Sequence, residues 1–470
     1  MPAANVLQRL REVVGAGGFI DEPAGIAPYL EEWRGLFVGA TALVVRPQNT
    51  DEVAALVRIC HDTHTPFVPQ GGRTGLCGGA VPDASGDAIV LSLERMNRIR
   101  AVDPMGYTLT AEAGCVLASI QSAATEVDRL FPLSLAAEGS CQLGGNLATN
   151  AGGLAVLRYG TARDLTLGLE VVLPDGRVWD GLRALRKDNT GYALKELFIG
   201  AEGTLGVITA AVVKLFPRPR DVQTALIAVP DVDAAVSLLN LARESSGDRV
   251  TACELIPRAG MALVRKHIAG AVIPLAGDPP WALLLELSGG QRAGELRAGM
   301  ENLLESALTA ELALDAVLAE NAKTTAALWR LRESLSDAQR PEGGCIKHDV
   351  AVPVPRVAQL IADATAAVHG LEPTARIVAF GHVGDGNIHF NVLQPEGADK
   401  AAFLARWADI ARAVHDVTHA LGGSISAEHG LGQLKRDEIK HYKSALELEL
   451  MARVKTALDP RGLANPGKVL

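Results

Sequence analysis

Two histidines flanking a tight turn are the first residues of this chain whose types and spacing could do chemistry. In AFGHVGDGNIHFNV, Asp385-Gly386 is a strong two-residue hairpin signal between strand-forming residues. Pairing outward from that turn sets Gly384 opposite Asn387, Val383 opposite Ile388 and His382 opposite His389. Directly opposed side chains leave the same face with Cβ atoms about 5 Å apart, a separation at which two imidazoles can grip one metal ion. Asn391 lies on that face as well. A third ligand is offered by SAEHGLG, where Glu428 and His429 stand in what reads as an apolar strand. Two His and one carboxylate leave open positions on a divalent ion, as a catalytic site requires, and zinc, manganese and iron all suit such ligands. Without a metal, the same residues read as an aromatic-like cross-strand pair and a surface loop. His61, His64, His267, His348, His369 and His441 read as core or surface residues. His415 and His419 have helical spacing but lack the Glu of a zincin motif.

The second chemical signal is glycine. PQGGRTGLCGGAVP, Pro69 to Pro82, holds Gly71, Gly72, Gly75, Gly78 and Gly79, which let successive backbone N–H groups converge on an anion such as a pyrophosphate. Alone, such a run is equally a set of tight turns. It is followed by AAEGSCQLGGNLATNAGGLAVLRYG, Ala136 to Gly160, and by GAEGTLGVIT, Gly200 to Thr209. Gly144, Gly145, Gly152 and Gly153 open the backbone again, with Ser140, Asn146, Thr149 and Asn150 as side-chain hydrogen-bond groups around it. Three such segments imply a large ligand. Neither GxGxxG in a strand-to-helix turn nor GxxxxGK[ST] occurs, which disfavours Rossmann and P-loop sites.

The elements that must position these groups fall into three zones. From Thr41 to Phe216, β-branched runs (ALVVRP, AIVLSL, GLEVVLPDG) alternate with Gly-rich turns and Ala-rich helices. From Pro217, helical stretches such as AAVSLLNLARE and VAQLIADATAAVHG separate strand candidates WALLLELS and ARIVAFGHV. LWRLRESLSDAQ reads as one helix, on which Arg332 and Ser336 stand four apart and share a face; GGCIKHDVAVP places Lys347 in a strand. The expected division is 1–216, 217–423 and a C-terminal segment 424–470, all of α+β class. The chain has 470 residues, too many for one core, and a net charge of -9 with no basic cluster, which argues against a nucleic-acid partner. The six cysteines show no CxxC pair and read as reduced thiols. MPAANVLQRLREVVG reads as a short amphipathic helix, not a secretory signal, and no window of the sequence reaches spanning length, so a cytoplasmic location is expected.

PQGGRTGLCGG, GGNLATNAGG with its trailing RYG, and GAEGTLGVIT resemble the two-part FAD-binding domain of the vanillyl-alcohol oxidase and p-cresol methylhydroxylase superfamily. Within it the chain resembles the D-2-hydroxy-acid dehydrogenases, the group acting on D-2-hydroxyglutarate above all. The resemblance implies a cap domain for substrate and a tail returning to the flavin. It implies FAD contacts at Gly71, Gly72, Arg73, Thr74, Gly75, Gly78 and Gly79, then at Gly139, Ser140, Gly144, Gly145, Thr149, Asn150, Gly152, Gly153, Tyr159 and Gly160. The third segment adds Glu202, Gly203, Gly206 and Ile208, and the tail ANPGKVL adds Asn465, with Lys468 nearby. Members that attach flavin covalently carry a His where this chain has Arg73-Thr74, so the FAD is expected to be non-covalent.

The same resemblance implies zinc on His382, His389 and Glu428, with His429 beside the substrate as the base. It sets Arg332, Ser336 (Thr in the D-2-hydroxyglutarate group) and Lys347 on substrate carboxylate, with Asn391 helping to orient it. The implied reaction oxidises D-2-hydroxyglutarate, and D-malate with it, to the 2-oxo acid: metal-assisted loss of the hydroxyl proton accompanies hydride transfer to flavin N5. D-lactate or glycolate is the alternative substrate. A flavin-free metal hydrolase and an electron-transfer subunit are the remaining classes, and they leave the Gly-rich segments and the Arg332/Lys347 cluster, respectively, without a task. No nicotinamide site is visible, so an electron-transfer flavoprotein, a quinone or a cytochrome is expected to reoxidise the flavin. The sequence leaves the oligomeric state open, a homodimer included.

Overall fold

The computed structural model describes residues 1–290 and 294–470. They form two compact units: Met1–Gly153, Tyr159–Arg218 and Glu428–Leu470 make the first, and Leu154–Arg158 with Pro219–Ala427 the second. The chain therefore crosses between units slightly later than composition suggests, and a five-residue excursion counts with the second.

The first unit is built on two sheets. One has the strand order Phe19–Ile20, Val44–Val45, Ile89–Ser92, Phe67–Gln70, with parallel pairing among the last three. The helix Thr50–Thr63 covers it, started by Asn49, whose side chain accepts from Glu52 N–H. It buries Val53, Leu56, Val57 and Cys60 in a cluster with Val45, Ile89 and Leu91. The strand Phe67–Gln70 delivers the first Gly-rich segment from its end, and the C-terminal tail joins its free edge. Phe67 N–H donates to Leu463 O at 3.0 Å, and Asn465 N–H to Phe67 O at 2.9 Å. The other sheet is antiparallel and five-stranded, with the order Ile99–Asp103, Thr108–Glu112, Val207–Lys214, Thr166–Val172, Val178–Gly181.

The second unit holds seven antiparallel strands in the order Asp315–Leu318, Asp221–Val229, Trp281–Gly289, Val250–Pro257, Arg376–His382, Asn387–Leu393, Cys345–Ala351. Because side chains alternate along a strand, each strand feeds both faces. One face packs Ile227, Leu255, Leu285, Ile388 and Phe390 with residues of the helices Val232–Ser246, Glu295–Thr309, Val357–Leu371 and Trp407–Ala420. The other carries Leu226, Leu284, Ile256 and Phe380 beside the helices Arg258–His267 and Ala322–Glu333.

Three local expectations need correction. The Asp385-Gly386 turn is not a two-residue loop: Val383–Gly386 all lie in the turn, and His382 pairs with Asn387 while His389 pairs with Phe380. Val383 is fully buried in the core, which draws it out of the ladder, and Asp385 Oδ1 accepts Asn387 N–H at 3.2 Å inside the longer loop. Gly386 has φ +80°, and a Cβ there would sit 2.0 Å from Val352 O, so only glycine fits. Next, SAEHGLG is irregular chain and not a strand; just before it, Ser424 forms a bridge to Ala351 of the second sheet. Finally, LWRLRESLSDAQ is broken at Ser334 into Ala322–Glu333 and Leu335–Ala338. Arg332 is buried while Ser336 is exposed, so the two do not share a face. No helix among the described residues is long and apolar enough to cross a membrane.

An ion cluster fixes the start of the strand Arg376–His382. Glu342, its side chain only 6% exposed, takes Arg376 at 2.5 Å, Lys266 at 2.7 Å and His267 at 2.5 Å. Arg376 foremost, then Lys266 and His267, holds the Glu342 carboxyl down at about 2, against an ordinary value of 4.5. A lowered folded pKa gives stability that is full above the ordinary value and lost as pH falls toward 2. Glu342→Gln is therefore expected to cost about 1.5–3 kcal/mol at neutral pH, with the cost shrinking as pH drops below about 4.5, which thermal unfolding followed across pH checks.

Candidate active site

In the first unit the three Gly-rich segments close around a cavity. Its wall carries Gly71, Gly72, Arg73, Thr74, Gly75 and Gly79 from the first segment, Gly144, Gly145, Asn146 and Thr149 from the second, and Glu202, Gly203, Gly206 and Ile208 from the third. Backbones meet closely there. A Cβ on Gly72 would lie 2.1 Å from Ser140 O, so the first segment can lie against the second only as glycine. Gly144 and Gly145, expected in an open loop, belong instead to the short helix Leu143–Ala148.

The wall suits a large polar ligand. A Cβ on Gly75 or Gly145 would meet nothing within 4 Å, so the backbone there borders open space. Gln70 Oε1 and Gln142 Oε1 are buried in the same wall without a hydrogen-bond partner. An orphaned buried acceptor costs about 1–3 kcal/mol, a cost that a ligand bearing N–H groups removes. Flavin and adenine rings both bear such groups. Both glutamines escape a reading of the sequence, although each directly flanks a Gly-rich run.

Gly78, Gly139, Ser140, Asn150, Gly152, Gly153, Tyr159, Gly160 and Asn465 do not line this cavity. Several of them brace the segments that do. Asn150 Oδ1 accepts Arg163 N–H at 2.9 Å, and the Tyr159 ring meets Phe216 edge-on at 4.7 Å. Asn465, in left-handed conformation with φ 46°, donates to Gly79 O at 2.9 Å and Glu202 O at 2.6 Å, tying the tail to two segments at once. Arg73 lies over the Tyr29 ring at 4.4 Å and 3.7 Å from Glu94.

Glu202, in the cavity wall as expected, also holds a further segment of the chain. Its two oxygens are taken up by Leu431 N–H at 2.7 Å and Gly432 N–H at 2.9 Å. Burial pushes its carboxyl up, and those two N–H groups together with Lys435 oppose the shift. The segment it holds is EHGLG, and His429 from that segment lines the cavity.

In the second unit the polar residues share the sheet face that carries Phe380. Register decides this. The offset of two residues from the expected pairing preserves the face, since only an odd slip reverses it. His382 and His389 are thus diagonal neighbours, with ring centroids 5.4 Å apart and planes at 78°. Asn391 faces Lys347 and His389 faces Asp349 on the strand Cys345–Ala351. On the opposite side His382 faces Glu254.

Two buried carboxylates flank the imidazoles. Glu254 Oε1 lies 2.7 Å from His382 Nδ1, and Asp349 Oδ1 lies 3.8 Å from His389 Nδ1. Asp349 also accepts Asn387 Nδ2 at 2.9 Å. Such carboxylate–histidine pairing is what orients metal-binding imidazoles, so this donor set fits a divalent cation. Burial pushes Glu254 up, but His382 and Arg332 more than reverse that and hold its carboxyl at about 2. Burial raises Asp385 to about 6 despite His382 and Asn387 N–H. Arg332 pairs through Nε with Glu254 Oε2 at 2.7 Å and lies over the Phe380 ring at 4.8 Å. Gln339, not Ser336, reaches this face: its Oε1 accepts Asn391 Nδ2 at 2.9 Å. Glu254 was detectable in principle as a lone acid in the apolar run VTACELIP. Ala427, the last residue of this unit, donates its N–H to Asp349 O at 3.2 Å, and Glu428 is its successor in the chain.

Comparison with known proteins agrees with this geometry. Residues 41–181 match an FAD binding domain, and residues 218–469 match the family of FAD linked oxidases, C-terminal domain. The chain is 39% identical to the mitochondrial D-2-hydroxyglutarate dehydrogenase of Bos taurus, covering 98% of this chain and 82% of that one. It is 36% identical to the D-2-hydroxyglutarate dehydrogenase of Xanthomonas citri pv. viticola, covering 98% and 96%. In fold it resembles p-cresol methylhydroxylase with substrate bound, at a TM-score of 0.78 over 99% of this chain and 96% of that one, with 17% identity. The chain belongs to the FAD-linked oxidases with a flavin domain of the p-cresol methylhydroxylase type, and within them to the FAD-dependent D-2-hydroxy-acid dehydrogenases.

Proposed function

We propose that this enzyme oxidises D-2-hydroxyglutarate, with D-malate as a second substrate, to the corresponding 2-oxo acid. The observation that carries the reading is the polar row on one sheet face of the second unit: Lys347, Asn391, His389, His382 and Glu254 in register on four neighbouring strands, with Arg332 beside them. A monocarboxylate needs one cationic anchor. Arg332 and Lys347 offer two, which suits a substrate with a second carboxylate.

When bound, the FAD supplies a two-electron acceptor, and a divalent ion, zinc above all, on His382, His389 and Glu428 supplies a Lewis acid for the hydroxyl. Arg332 and Lys347 hold carboxylate oxygens, and Asn391, itself fixed by Gln339, orients the α-carboxylate. His429 takes the hydroxyl proton at an imidazole nitrogen, while Glu202 keeps its segment in place. Ser336, exposed past the helix break, is the weakest member of the expected substrate set. The FAD is held without a covalent link, since Arg73 occupies the anchoring position and is engaged with Tyr29 and Glu94. Electrons then leave to a separate acceptor such as an electron-transfer flavoprotein, a quinone or a cytochrome.

Acid precipitation of the purified yellow protein is expected to leave the flavin in the supernatant; colour retained in the pellet refutes non-covalent binding. In anaerobic mixing, D-2-hydroxyglutarate and D-malate are expected to bleach the flavin faster than D-lactate, and Lys347→Ala to narrow the gap. A wild-type preference for D-lactate or glycolate overturns the substrate assignment. His429→Asn is expected to slow flavin reduction about 100-fold or more with FAD content unchanged; reduction at the wild-type rate removes His429 as the base.

A further inference from the structure

Glu254 lies at the centre of the strand Val250–Pro257, every residue of which is buried, and is itself 0% exposed. An ionised carboxylate in such a place persists only with strong partners. It divides its two oxygens between two different groups: Oε1 meets His382 Nδ1 at 2.7 Å and Oε2 accepts Arg332 Nε at 2.7 Å. The pairing is enforced from several directions. Glu254 and His382 are directly opposed across neighbouring strands, and Arg332 is held from above the sheet by the Phe380 ring.

Arg332 is only 8% exposed, yet the pairing uses Nε alone, and its two terminal nitrogens donate to no described residue. A guanidinium pinned by its Nε with both terminal N–H groups uncommitted is arranged to accept a further carboxylate in bidentate fashion. On the other side, an imidazole whose Nδ1 is held by a carboxylate has its remaining nitrogen fixed in direction for a cation.

We propose that Glu254 is a positioning residue that links the two halves of the site: it sets the His382 ring for the metal through one oxygen and the Arg332 fork for the substrate carboxylate through the other, so that cation and dicarboxylate strengthen each other's binding. The inference rests on the function proposed above. Coupling arises from the shared carboxylate. A cation on His382 strengthens the bond to Oε1, which stiffens the group that also holds Arg332, and by linkage a carboxylate on Arg332 strengthens cation binding by the same factor.

The test is Glu254→Gln in the flavin-loaded enzyme, which keeps the size of the side chain and removes its charge. Zinc affinity is measured by chelator competition and glutarate binding by calorimetry. Zinc is expected to bind about 10–100-fold more weakly, and the gain in glutarate affinity that zinc produces in the wild type is expected to disappear. Glu286→Gln is the control. Glu286 is a carboxylate on the neighbouring strand Trp281–Gly289, bonded to Trp329 at 2.9 Å and Thr224 at 3.1 Å, and its loss is expected to leave zinc affinity unchanged. Should Glu254→Gln fail to fold, Arg332→Met reports on the same link, because under this proposal it weakens zinc binding several-fold although Arg332 is no ligand. Wild-type zinc affinity in Glu254→Gln or Arg332→Met, or equal weakening in Glu286→Gln, overturns the proposal while the proposed function stands. A wild type that binds no zinc, or whose flavin D-2-hydroxyglutarate does not bleach, overturns both.

Discussion

Burial of an ionised carboxylate is the constraint on which the second unit turns. Taking Glu254 out of water is unfavourable by several kcal/mol, and the structure offsets this only because an imidazole and a guanidinium arrive within hydrogen-bond distance of its two oxygens. Removing one partner of such a group typically costs about 3–5 kcal/mol, so the three residues hold one another in single conformations. Two rigid side chains that can still bind something, one a metal-type donor and the other a carboxylate receptor, are the result.

The first unit uses a related device with neutral partners. Glu202 is buried as well, but its oxygens are met by backbone N–H groups of Leu431 and Gly432. Backbone donors do not move independently of the chain, so this contact fixes a whole segment and, with it, the direction from which His429 enters the cavity wall. Asn465 repeats the pattern from the tail, donating to carbonyls of the first and third Gly-rich segments. The C-terminal residues thus serve as cross-braces of a cavity whose glycines give up side-chain contacts to let backbones approach.

The face-sharing of the polar row illustrates how tolerant a sheet is of some errors and how intolerant of others. The hairpin pairing differs by two residues from the one that the Asp-Gly signal implies, yet His382, His389 and Asn391 stay on one face because side-chain direction repeats every second residue. The helix bearing Arg332 allowed no such latitude. A break at Ser334 turned Ser336 outward and brought Gln339 in, since each residue of a helix rotates the side-chain direction by about 100° and any interruption redirects every side chain beyond it.

By itself the sequence determined the flavin-type segments, the α+β alternation, the hairpin histidines and the EHGLG segment, because these are local patterns in which glycine freedom, strand period and turn chemistry leave a mark within a short stretch of chain. Tertiary structure alone decided which groups meet. Glu254 and His382 are 128 residues apart, and Glu202 and Leu431 are 229 apart. A hydrogen bond over that separation is fixed by sheet order and chain return, and neither the acid nor its partner carries any local sign of the other.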